Sequence, residues 1–461
     1  MMVCALLLGT SVKAQDHAPA QVKIQVDPET IIAHISPNFI GLGYETAAVA
    51  QSNFFTPRNA TMVRLYRNLS TNGLIRIGGI ISDHTKYIPD GEPMGRSQSH
   101  TTIINRDNLV ELGGFARASG WKVMWGLNLG TGFKEEAAQE ALAVNAALGS
   151  GLQSFEIGNE VEALRRFNTR YDAYHAAYLD YKAAIRAALP DAPFSGPDSI
   201  GNLRWITNFA STESADVKLL TIHYYRGGAG DPKSTLEKLL ADDEGLENRL
   251  NAMRAVSREH NLPFRINEVN SFSGGGKPGV SDTFGSALWC LDFMFRLASY
   301  ECDGVNMETD VNQLGFVSHY SPIIHDSAGH CSVRPEYYGM LAFSTAANGD
   351  MVRVDVDNAG VNLTAYATKN ERGFLCLTLV NKDFSRDAVV RVILPGEFAT
   401  GDVFRLLAPS MESKDRVTFA GTEVSEDGKW AGDPRENLTV SSGAASLIIP
   451  HASAAVVCLR P

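Results

Sequence analysis

Lys and Arg number only 41 against 52 Asp and Glu, a formal net charge of −11. A nucleic-acid surface needs clustered basic residues, so that class of partner is set aside. No stretch of about 18 apolar residues occurs, and no membrane-spanning helix is expected. Cysteine is scarce: Cys4, Cys290, Cys302, Cys331, Cys376 and Cys458 are the whole set. No Cys-x-x-Cys spacing occurs among them, which removes a zinc or redox motif. A Cys302–Cys331 pair is the candidate disulfide and is incidental to the fold. Internal repeats and low-complexity tracts are also missing. No cofactor or metal is called for.

What the chain does have is an alternation of short apolar runs and helical patterns from about residue 38 to 347. The runs are Asn38–Gly43, Leu74–Ile77, Val123–Gly126, Ser154–Ile157, Pro193–Gly196, Leu219–Ile222, Pro263–Ile266 and Gly304–Met307. Helical patterns cover 134–147, 168–189, 235–259 and 281–299, among others. Continuous rather than alternating apolar runs are the mark of parallel strands buried on both faces. Eight such units predict a (β/α)8 barrel over 35–347. A doubly wound open sheet competes, but no glycine-rich phosphate loop follows the first strand. Beyond residue 348 the texture changes to short strands without helices, which predicts a C-terminal antiparallel β-sandwich over 348–461. Residues 15–34 read as an N-terminal strand joining that sandwich. Residues 1–14 read as a signal peptide, with the apolar run Val3–Leu8 and the small-x-small site Val12-Lys13-Ala14. The mature chain is then expected to be secreted or periplasmic, and a monomer.

In a barrel the reactive side chains sit where strands end. The fourth run ends Glu156-Ile157-Gly158-Asn159-Glu160 and the seventh ends Arg265-Ile266-Asn267-Glu268. Glu268 follows Glu160 by 108 residues, which fits three βα units. Two carboxylates facing each other across a barrel mouth suit retaining glycoside hydrolysis, in which one holds a proton and the other attacks the anomeric carbon. A third Asn-Glu pair, Asn370-Glu371, falls in a turn of the sandwich and is expected at the surface. Arg76 closes the second strand. It either stands beside the two carboxylates, keeping Glu268 ionised, or forms an interior ion pair with Glu156. Asn159 is a candidate for a sugar hydroxyl. His223-Tyr224-Tyr225 ends the sixth strand, and a Tyr there suits the nucleophile. His223 has no partner His at ligand spacing, which argues against a metal. Glu308 ends the eighth strand as a third, weaker carboxylate. Tyr171, Tyr174, Tyr178 and Tyr181 recur at helical spacing and are assigned to packing against the barrel.

These residues resemble glycoside hydrolase family 79, which contains exo-β-glucuronidases and heparanases. The resemblance is carried by Ser154–Glu160, Gly196-Pro197-Asp198, Ile222–Tyr225, Asn267–Phe272, Gly274-Gly275-Gly276 and Ser281–Phe284. It implies acid/base action by Glu160 and nucleophilic attack by Glu268, with Tyr224 orienting the nucleophile. It also implies a uronate carboxylate held by backbone N–H groups at Gly274 and Gly275 and by Tyr320. The chain departs from the family at Ser273, where a Tyr is usual. That departure suits a 4-O-methyl uronate or another sugar. The loop from Thr309 to Tyr320 is also long. The expected substrate is a β-linked uronide carbohydrate cut at the chain end. A heparanase-like internal cut would need flanking cations, and Lys86, Arg226 and Lys277 are scattered. A non-catalytic sugar-binding protein on a decayed barrel is the remaining alternative, opposed by two intact strand-end glutamates.

Overall fold

The computed structural model describes residues 18–95, 101–315, 317–326, 330–394, 398–433 and 436–460. The expected signal peptide and Cys4 lie outside the described residues. Eight strands close into a parallel barrel: β2 (Ile40–Glu45), β3 (Leu74–Gly78), β4 (Lys122–Leu127), β5 (Leu152–Ile157), β6 (Phe194–Ser199), β7 (Leu220–Tyr225), β8 (Phe264–Asn270) and β9 (Gly304–Thr309). They are buried almost throughout, which is why they read as unbroken apolar runs. The helices α1 (Ala60–Leu69), α2 (Arg106–Ser119), α3 (Lys134–Leu148), α4 (Tyr171–Ala188), α5 (Leu203–Glu213), α6 (Glu244–His260), α7 (Phe284–Ser299) and α8 (Pro335–Ala346) surround it. The helical pattern expected over 235–259 is two pieces. Leu236–Leu240 stops before Asp243, whose carboxylate accepts from Leu246 N at 3.0 Å and starts α6 afresh. Tyr174, Tyr178 and Tyr181 are buried on α4.

Two irregularities aim side chains into the barrel. Pro197 pairs with Thr221 and Ser199 with Ile222, so Asp198 is extra on β6. Ile266 pairs with Ile222 and Glu268 with His223, so Asn267 is extra on β8. A bulge of this kind re-aims the residues around it.

The second unit is one ten-stranded sheet. Strand β1 (Ala20–His34) is followed after the barrel by β10 (Asp350–Asp357), β11 (Leu363–Lys369), β12 (Leu375–Asn381), β13 (Ala388–Ile393), β14 (Thr400–Leu407), β15 (Thr418–Phe419), β16 (Glu436–Thr439), β17 (Ala444–Ile449) and β18 (Ser453–Arg460). The sheet curls round an apolar core that includes Val22, Ile24, Leu377, Val390 and Val457. It is not wholly antiparallel. Strand β1 lies between β10 and β13, antiparallel to the first and parallel to the second. Its other face packs on the barrel helices, where Asp292 of α7 accepts from Thr364 Oγ1 at 2.6 Å, Tyr366 OH at 2.7 Å and Lys382 Nζ at 2.8 Å. The disulfide is Cys376–Cys458, between directly paired residues of β12 and β18. The expected Cys302–Cys331 pair is thereby corrected. Both are buried free thiols, Cys302 beside β9 and Cys331 against Asn59. Among the described residues no helix is long and apolar enough to cross a membrane.

Candidate active site

Glu160 lies just past the end of β5 with φ 44, a left-handed conformation that costs a non-glycine residue about 1 kcal/mol or more. The turn is held by Ala163 N donating to Glu160 O at 2.7 Å. Glu268 stands opposite on β8. Carboxylate oxygens of Glu160 and Glu268 and a ring nitrogen of His223 all lie within 4.8 Å of one another. Both glutamates face a cavity of about 420 Å³, lined also by Glu45, Ile80, Ile200, Tyr225, Arg249, Ser273, Gly274, Gly275, Glu308 and Tyr320. That volume falls in the range of sites for small organic ligands, roughly 300–1,000 Å³.

Glu268 is gripped at both oxygens. Tyr225 OH donates to Oε1 at 2.9 Å and Arg76 Nη1 to Oε2 at 2.8 Å. Arg76 makes both expected contacts, since its Nε also reaches Glu156 Oε2 at 3.4 Å. Its Nη2 donates to Asp198 Oδ2 at 2.8 Å and to Asn159 Oδ1 at 2.7 Å. Asn159 is therefore fixed by its carbonyl oxygen, and what it offers a ligand is its amide NH2. Tyr224 is corrected. Successive residues on a strand point to opposite faces. His223 and Tyr225 turn into the barrel, so Tyr224 turns out, where its hydroxyl donates to Asp243 and its ring stacks on Phe293 at 5.7 Å. Tyr225 is the tyrosine on Glu268.

His223 Nε2 contacts Asp198 Oδ1 at 2.7 Å, and its Nδ1 contacts Glu160 Oε1 at 3.2 Å. Burial works against a charged ring, yet Glu268 and Asp198 hold its pKa well above the ordinary value. Burial likewise opposes the Asp198 carboxylate, but Arg76 and His223 hold it well below the usual range. Burial, with the charge of Glu268 added, pushes Glu45 up to about 8 and raises Glu308 well above its ordinary value. The floor of the cavity thus places two carboxyls that favour the neutral form, Glu45 and Glu308, beside Glu268. Glu160, His223 and Glu268 could chelate a cation by spacing alone. However, Arg76 already occupies one Glu268 oxygen, and a protonated His223 has no lone pair to give. The donor set suits protons.

The glycine run has φ 78, 86 and 86 at Gly274, Gly275 and Gly276, a region where a side chain is strained. Tyr320 lies beside it, its ring stacked on Tyr225 at 6.4 Å, and His319 N donates to Gly275 O at 2.6 Å. Ser273 is tied to the loop after β7 by its own N–H to Gly227 O at 2.8 Å and by Ala229 N to its carbonyl at 2.9 Å. Sequence reasoning missed Glu45, Arg249 and the role of Asp198, and left the strand-end tyrosine open between Tyr224 and Tyr225 until the resemblance pointed to Tyr224. Glu45 was within reach of the strand-end rule, since it closes β2. Asp198 was not, because a bulge places it.

The chain is 24% identical over 406 residues to a β-glucuronidase of Aspergillus niger, covering 80% of this chain and 72% of that one. It is 32% identical over 143 residues to a β-glucuronidase of Neurospora crassa, covering 29% of this chain and 24% of that one. No family model matches the chain. Among solved structures, a 4-O-α-L-rhamnosyl-β-D-glucuronidase of Fusarium oxysporum superposes with a TM-score of 0.77 at 19% identity, covering 94% of this chain and 99% of that one. An α-L-arabinofuranosidase of Thermotoga maritima does so with a TM-score of 0.70 at 16% identity, covering 95% and 99%. These structural likenesses show a shared fold, a barrel with an attached sheet.

Proposed function

We propose that this chain, a glycoside hydrolase of the family 79 type, is a retaining exo-β-glucuronidase. Glu160 protonates the glycosidic oxygen while Glu268 attacks the anomeric carbon. The leaving group departs and a glycosyl ester forms on Glu268. Glu160, now a carboxylate, takes a proton from water, and that water displaces Glu268 with a second inversion. The observation that carries this reading is the separation of the two carboxylates, within 4.8 Å oxygen to oxygen. That approach of one oxygen from each group fits the short spacing of direct attack. Tyr225 and Arg76 keep Glu268 aimed and anionic.

The likeness to β-glucuronidases supports a uronate at the cavity's inner end. There the N–H groups of Gly274 and Gly275 and the Tyr320 hydroxyl are neutral donors for its carboxylate. Ser273 favours a second reading of the sugar, a glucuronate substituted at O4, such as the 4-O-methyl form. The cross-strand disulfide supports a place outside the reducing cytosol. Hydrolysis of 4-nitrophenyl β-D-glucuronide, its 4-O-methyl form, glucoside and galactoside decides the sugar. Preference for neither uronide removes the substrate assignment. NMR of the first-formed product decides the mechanism, and an α-anomer would overturn retention.

A further inference from the structure

If Glu160 protonates the leaving oxygen, the aglycone must lie on the Glu160 side of the cavity. Ser199 Oγ donates to Glu162 Oε1 at 2.5 Å, which sets the turn after β6 beside the turn that carries Glu160. Ile200 of that turn and Arg249 line the cavity, while Gly227 is tied to Ser273 at the start of the glycine run. Arg249 belongs to α6, outside the barrel, and reaches the mouth over the outward-facing Tyr224. Its guanidinium lies 5.7 Å from the centre of the Tyr224 ring, and Nη1 donates to the carbonyl of His223 at 3.3 Å. A Cβ on Gly201 would fall 2.6 Å from Nη1, so the guanidinium lies directly against residue 201. Gly201 also has φ 124, which strains any other residue.

The guanidinium is held by a carbonyl and a ring, and neither neutralises it. Among the described residues no carboxylate lies within 4.0 Å of it. Its neighbour Arg226 is different, being paired with Asp243 and donating to the carbonyls of Lys238, Ala241 and Asp242. An arginine carries five donors in a planar fork suited to carboxylate or sulfate. One placed at a cavity wall without an acid, in a chain of net charge −11, has an unfilled role.

We propose that Arg249 makes the leaving-group side of the site a receptor for an anionic aglycone, a sugar carrying carboxylate or sulfate next to the scissile bond. The inference rests on the exo-glucuronidase reading and adds the substrate's second half. The test compares 4-methylumbelliferyl β-D-glucuronide with the glucuronide of 7-hydroxycoumarin-4-acetic acid. These have matched leaving groups, neutral and anionic. The wild-type enzyme is expected to show a KM about fivefold lower for the anionic probe, the scale of a partly exposed ion pair. That ratio should shrink toward one in about 0.5 M NaCl, where screening reaches within a few ångströms. It should collapse in Arg249→Gln and survive in part in Arg249→Lys. The salt series needs no variant, so it stands even if the Gln variant folds poorly. Equal KM values for the two probes overturn the inference and leave the hydrolase reading intact. Cleavage of neither probe removes the reading beneath it. Loss of glucuronide-over-glucoside preference in Arg249→Gln, on the neutral aglycone, assigns Arg249 to the uronate and also overturns the inference.

Discussion

The barrel buries Arg76, Glu156, Asp198 and His223 at 0–1% exposure, while the core of the curled sheet is built of apolar side chains such as Ile24, Leu379 and Val457. Among the described residues of the sheet from 350 onward, Lys382 is the one buried charge, and it faces Asp292 of the barrel. Buried ion pairs are costly and add little net stability. Apolar burial does stabilise, at roughly 25 cal/mol per Å². One half therefore spends stability to hold Glu268 in place, and the other contributes packing. Their separation is the point to attack experimentally.

The largest effect expected is on chemistry alone. Glu268→Ala should lower kcat by about 10⁴-fold or more without unfolding the barrel. Added azide should restore turnover and give the α-linked product. Failure of azide to act would remove Glu268 as nucleophile. Next comes a change confined to the sheet. Replacing Cys376 and Cys458 together with Ala should cost about 2–5 kcal/mol in denaturant unfolding. The kcat/KM of the folded fraction should stay within about twofold, read at low temperature. A large loss of activity there would mean that the halves are not independent. Third, Tyr225→Phe should lower kcat by about 10- to 100-fold, as a hydrogen bond to a charged group is lost. Tyr224→Phe, one residue along, should have little effect on kcat, and the reverse order would put the wrong tyrosine on Glu268.

The smallest effect separates the halves by pH. Burial pushes Glu140, behind β4, up to about 7 from an ordinary 4.5. A carboxyl raised by folding contributes stability fully below about 4.5, which is lost as pH rises through about 7. Glu156 and Asp83, also raised to about 7 chiefly by burial, act in the same direction. Glu140→Gln keeps the acceptor for Trp125 Nε1 and should flatten the fall in thermal stability between pH 5 and 7 by on the order of 1 kcal/mol. An unchanged profile would mean that Glu140 is ionised in the folded chain.

The barrel was legible because burial on both faces leaves a run of apolar residues that no other element produces. All eight expected runs overlap the eight strands. The sheet was legible only where it is most apolar. Leu363–Lys369 and Thr400–Leu407 went unread, since both carry Thr and charged residues on a half-exposed face. At the site, Glu160 and Glu268 were found because strand ends are visible in sequence. Tyr224 was mistaken for Tyr225 because the residues are identical, and only the phase of the strand tells them apart. Asp198 and Arg249 depend on a bulge and on a helix reaching over a rim, which one-dimensional patterns do not carry.

Strand β1 carries a temporal burden. His34 and Asp350, which pair, lie 316 residues apart. At 5–20 residues per second the ribosome needs roughly 15–60 s to make that partner. Through that interval a strand alternating apolar and polar residues waits with both edges unpaired, a template for pairing with another chain. The barrel in between can assemble first from neighbouring units. The sheet is knotted to the calendar of synthesis, since it closes only after the latest segments meet one of the earliest. A cell that makes this protein has to keep Ala20–His34 from aggregating until then.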